Sequence, residues 1–104
     1  MAAILRISVQ NQAHTIVRSW EEPVGEPFLR FCRKASEFGV RNVDFIWPYA
    51  DAMVNFFQIQ QWLEDFPKVL DSGGFDDEER ASALRVLAAA REAAGFDGYL
   101  WFEG

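Results

Sequence analysis

Cysteine, histidine and positive charge are scarce in this sequence, and each scarcity removes a class of function. The single cysteine, Cys32, cannot form an internal disulfide, which fits a reducing compartment. With only one histidine besides, His14, zinc sites built from several Cys and His ligands are out of reach, and no metal or other cofactor is expected. Lys and Arg number 10 against 16 Asp and Glu, for a net charge of −6. Such a chain repels phosphate, so nucleic acid is not the expected ligand. No apolar run is long enough to span a bilayer, so no membrane partner is expected. The opening MAAILRISVQNQ has no basic segment ahead of its apolar residues and is broken at Arg6, which predicts a cytoplasmic protein without a secretory signal. Gly73 and Gly74 stand alone, without the lysine and hydroxyl residue of a phosphate-cradling loop.

What is present is apolar and aromatic. Half of the 104 residues are apolar and 15% are aromatic, which is enough to offset chain entropy and build one core. A single domain over 1–104 is expected. The charge is uneven: residues 1–50 carry six bases against five acids, whereas residues 51–104 carry four against eleven, a net of −7. An acidic half attracts a basic protein surface, though it also serves solubility alone.

Periodicity divides the chain into elements. Ala3 to Val9 alternates at Ile7 and Val9 and predicts a strand; the β-branched run His14 to Trp20 predicts a second, paired to it as a hairpin. Pro27 suits the first turn of a helix in which Phe28, Phe31, Cys32, Ala35 and Phe38 share one face and Arg30, Arg33 and Lys34 another, with Gly39 as its left-handed stop. Val40 to Trp47 predicts a strand with Val43, Phe45 and Trp47 on one face, ended by Pro48, and Ala52 to Asn55 a further short extended piece. Asn55 and Gln58 have capping-box spacing ahead of Phe56, Ile59, Trp62, Leu63 and Phe66, and Pro67 is expected to end or kink that helix. Asp76 and Glu79 repeat the capping-box spacing ahead of an alanine-rich helix stopped by Gly95. Tyr99 to Phe102 predicts a strand inside the sheet, covered on both faces. The order β-β-α-β-(β)-α-α-β gives an α+β fold: a mainly antiparallel sheet of four or five strands with three helices packed on it.

Two blocks carry a resemblance. Pro48, Tyr49, Asp51, Asn55, Gln58, Leu63 and Glu64 in one, and Tyr99, Leu100, Trp101 and Phe102 in the other, resemble a pattern of small acidic bacterial proteins, many actinobacterial. That pattern runs Asp-Pro-Tyr-Gly-Asp-Thr-Val-Phe-Asn, then Gln, an acidic leucine helix and a closing Leu-Tyr-Leu-Trp-Phe-like strand. The chain departs from it at Trp47, Ala50 and Pro67. By size and acidity the resemblance implies a protein of the immunity type, which neutralises a toxin.

No catalytic grouping stands out. Cys32 falls on the apolar face of its helix, where a thiol is inert, and His14 reads as a strand-edge residue. Asp44 lies inside an apolar run, and Asp51 follows a Trp-Pro-Tyr turn; either could serve a small enzyme, while the simpler reading of Asp51 is a turn former. The large rings Trp20, Trp47, Tyr49, Phe56, Phe57, Trp62, Phe75, Tyr99 and Trp101 either fill the core or reach the surface as anchors. The sequence thus points to a non-catalytic, protein-binding chain. Its contact candidates are Trp47, Tyr49 and Asp51, then Asp71, Asp76, Asp77, Glu78 and Glu79, and its partner a basic protein such as a cognate toxin. A self-associating homodimer is the alternative.

Overall fold

The computed structural model describes residues 5–47 and 50–104. Its elements run β1 (Arg6–Gln10), β2 (Ile16–Glu21), α1 (Pro27–Glu37), β3 (Ala52–Val54), α2 (Phe56–Asp71), α3 (Asp77–Ala94) and β4 (Tyr99–Glu103). The four strands form one antiparallel sheet in the order β2-β1-β4-β3. The α+β class is as expected, and β4 does lie inside the sheet.

The β1–β2 hairpin is made by Asn11. Its side-chain oxygen accepts the Ala13 and Thr15 amides, its carbonyl accepts the His14 amide, and His14 then adopts a left-handed φ of 63°. Register fixes the faces. Ile7 lies opposite Phe102 and Val9 opposite Leu100, while Ala52 and Val54 face the same two β4 residues from the far side. All six are buried. The other face carries Ser8, Met53, Trp101 and Tyr99. Of these, Met53 is exposed and Trp101 and Tyr99 are half-buried, so β4 is fully covered on one side only, contrary to the expected double cover. A strand inside a sheet is protected at its edges by its neighbours, whatever lies above it.

The helices stack on the inner face around five rings of zero exposure: Phe28 and Phe31 from α1, Trp62 and Phe66 from α2, and Phe102 from β4. Phe28 stacks on Phe102 at 5.6 Å and Trp62 on Phe66 at 4.9 Å. The Trp62 indole N–H donates to the Arg41 carbonyl at 3.0 Å, so this buried polar group is satisfied. Helix α3 packs against both other helices and against β1 and β4, and its buried side includes the small residues Ala83, Ala89, Ala90 and Ala93. Glu22, at the end of β2, is buried on α3: it accepts the Trp20 indole N–H, the Ser82 hydroxyl and two Arg85 N–H groups.

Helix ends follow the expected chemistry with one change. Asn55–Gln58 and Asp76–Glu79 both form complete capping boxes. Gly39 takes φ 84° and closes α1, with the Val40 amide reaching back to the Ala35 carbonyl. At α3, however, Gly95 stays right-handed, and Asp97 makes the left-handed reversal at φ 56°. The following residue must be glycine: a Cβ on Gly98 would lie 2.2 Å from the Gln10 carbonyl oxygen.

One further expectation fails, and one holds at most in part. Val40 to Trp47 is not a strand but two successive turns, so the sheet has four strands. Buried positions there recur at Val40, Val43 and Ile46, a spacing of three, because Asn42 adopts φ 66° and the Arg41 amide and guanidinium are held by Asp65. Pro67 does not end α2, which continues to Asp71. Proline forfeits the bond to the Leu63 carbonyl, but burial of Phe66, Val69 and Leu70 around it holds the helical path. Arg80 caps its end on the Leu70 carbonyl at 2.7 Å. Replacing Pro67 by alanine is therefore expected to raise stability by about 1–3 kcal/mol in urea denaturation; a loss would show that the proline fits a bend the core requires.

Candidate functional site

Helix α1 presents three separate faces. Phe28, Phe31 and Ala35 enter the core. Arg30 and Lys34, four apart, reach the start of α3: Arg30 contacts Asp76 at 2.7 Å and Glu78 and Glu79 at 3.2 Å, and Lys34 contacts Glu79 at 2.7 Å. Leu29, Cys32, Arg33 and Ser36 form the third face. Opposite them stand Val43, Asp44, Ile46 and Trp47 of the following turns, and between the two lies an open cavity of about 520 Å³.

The cavity's floor is apolar and its polar groups are few. The Ser36 hydroxyl donates to the Asp44 carboxylate. Arg33 is exposed and has no ion-pair partner among the described residues. Trp47 forms a wall and is 60% exposed. Burial pushes the Cys32 thiol well above its usual range, and the Asp44 charge adds to the effect. A thiol so held is a poor nucleophile. Its only possible histidine base lies elsewhere: His14 sits on the hairpin with Nδ1 2.7 Å from the Tyr99 hydroxyl, which itself donates to Gln10.

The sequence candidates therefore separate. Trp47 and Asp44 meet at the cavity; Asp51 is exposed a few residues along, at the start of β3. Tyr49, with Pro48, lies outside the described residues. Asp71 and Asp77 are exposed. Asp76 and Glu79 are committed internally, and Glu79, named as a surface candidate, has only 1% of its side chain exposed. Its burial follows from the capping box, which turns the carboxylate back under the helix end toward α1. Glu78 is also held by Arg30 but stays largely exposed. Of the rings, Trp62 is core, Trp20 and Phe75 pack partly against the core, and Trp47 and Phe57 reach solvent.

Sequence reasoning missed Arg33 and Ser36 as cavity residues. Their spacing with Leu29 and Cys32, at i, i+3, i+4 and i+7, was a readable signal of a separate face. What hid it was the reading of Val40 to Trp47 as a strand, which removed the opposite wall.

Most residues behind the bacterial resemblance have structural work here. Asn55 and Gln58 form the cap of α2, Glu64 pairs with Arg41 and Lys68, and Tyr99 to Phe102 are β4. Among the described residues no group of three or more His, Cys, Asp or Glu is placed to hold a metal ion, and no helix is long and apolar enough to cross a membrane. Comparison with known proteins finds no matching family, no similar curated protein and no similar solved structure.

The paired carboxylates set an acid limit. Burial raises the Glu79 carboxyl, but Lys34 and the Asp76 amide outweigh it, and the net is below the ordinary 4.5. Glu22 behaves alike: burial opposes ionisation, and Arg85, Ser82 and Trp20 reverse it. Their contribution to stability is full above that ordinary value and is lost as pH falls through the lower native ones. The urea midpoint is expected to hold steady from neutral pH to about pH 5 and then to fall. Glu79→Gln is expected to cost about 1–2 kcal/mol at neutral pH, a modest loss because Arg30 and Lys34 can rehydrate, and to flatten the acid limb.

Proposed function

We propose that this chain is a non-catalytic protein-binding domain of the immunity or antitoxin type. It holds a basic partner through the stretch between α1 and α2 and masks a cleft that would otherwise take an anionic substrate. One observation carries the reading: residues 44–57 combine the acids Asp44 and Asp51, no base, and three exposed apolar side chains, Trp47, Met53 and Phe57, the last at 76%. Exposed apolar groups near acids are the makings of a contact surface, in which rings anchor and charges steer, and Arg33 adds one base beside Trp47. Asp71 and Asp77 are exposed as well, at the end of α2 and the start of α3. Asp76 and Glu79, engaged with Arg30 and Lys34, stand outside the contact, and Glu78 contributes only at its margin.

Co-expression with the product of each adjacent reading frame tests this. A salt-sensitive complex is expected, with growth restored where that product is toxic. Trp47→Ala and Asp51→Asn should each weaken it about tenfold or more, and Asp76→Asn should leave it unchanged. A neighbouring product that is neither toxic nor bound would defeat the reading.

The outer sheet face supports a second reading, self-association. It presents Met53, Trp101 and Tyr99 in adjoining strands, the first exposed and the other two half-buried. Light scattering is expected to find a dimer that Trp101→Ser dissociates; a monomer at high concentration removes this reading.

A further inference from the structure

The cavity beside α1 holds one charge of each sign and uses neither internally. Arg33 and Asp44 both line it, yet no ion pair joins them, and among the described residues neither has another ionic partner. Asp44 accepts the Ser36 hydroxyl, which leaves most of its acceptor capacity open. Arg33 offers a guanidinium suited to bidentate binding of a carboxylate. Leu29, Val43 and Ile46 supply an apolar floor under both.

That combination selects a ligand. A basic side chain would meet Arg33 as a like charge, and an anionic one would meet Asp44. A neutral apolar molecule would engage neither charge. A molecule carrying both signs at one end and an apolar body at the other satisfies every group. We infer that the cavity binds a free α-amino acid with an apolar side chain: its carboxylate on Arg33, its ammonium on Asp44, and its side chain on the floor beside the Trp47 indole. A volume of about 520 Å³ admits an aliphatic or aromatic side chain. This goes beyond the partner reading and concerns the chain alone, so either can fail without the other.

Calorimetry on the full chain tests it, using L-leucine, L-phenylalanine and the singly charged analogues 3-phenylpropionate and phenethylamine. One-to-one binding of at least one amino acid is expected, with Kd on the order of 100 µM. Each analogue, and each of the variants Arg33→Gln and Asp44→Asn, should bind at least about tenfold more weakly. Arg33 is exposed, so its variant is expected to fold, and circular dichroism checks both. In nitrogen-15 NMR the indole N–H resonance that disappears in Trp47→Phe should be the one that shifts on titration. No heat and no shift at about 10 mM of either amino acid would overturn the assignment. So would equal binding of a singly charged analogue, or binding that survives both substitutions.

Discussion

The carboxylate of Glu79 ties the first turn of α3 to α1. It caps α3 and, from beneath the helix end, receives Lys34 and Arg30 of α1. A buried charge of this kind is held only where partners surround it, so the pairing sets the rotation of α1 about its own axis. With Arg30 and Lys34 facing α3, Phe28 meets Phe102 of the sheet, Phe31 meets Phe66 of α2, and Arg33 faces the turns that follow. The same contact decides which acids remain outside. Part of the negative charge counted in the C-terminal half is spent within the fold, on Asp76 and Glu79, while Asp51, Asp71, Asp77 and Asp97 stay exposed and unpaired among the described residues.

The helices were legible because their signals are local. A cap residue, its partner three positions on and an apolar stripe all lie within one or two turns, and α2 and α3 begin where those signals place them. The strands β1 and β2 were legible from alternation and β-branched content, and β4 from its run of large apolar residues. Val40 to Trp47 was not, because its alternation is accidental. The conformation there is set by Asp65, which holds Arg41, and by Asn42 in a left-handed turn, neither of which a short window of sequence can display. Pro67 does not end its helix, because burial of the residues beside it outweighs its local penalty.

The site was half legible. Trp47 and Asp44 stood out as an aromatic and an acid in an unusual setting, and the structure brings them to one cavity. Glu79 was misplaced because a first-turn acid looks solvated until the basic residues of another helix are known to face it. Charge counts describe the chain; only pairing describes the surface.

The place of β4 in the sheet bears on how the molecule assembles. Strands β1 and β3 do not touch each other; both are joined only through β4, the seventh element in chain order. Early in folding the chain can form a β1–β2 hairpin and individual helical turns, but the two halves of the sheet cannot meet until Arg6 finds Glu103 across nearly the whole length of the chain. Such distant pairing is slow, since loop-closure entropy is lost before any contact offsets it. The rings of α1 and α2 can meet one another beforehand, but the fifth, Phe102, joins them only in the same event, so closing the sheet also completes the core.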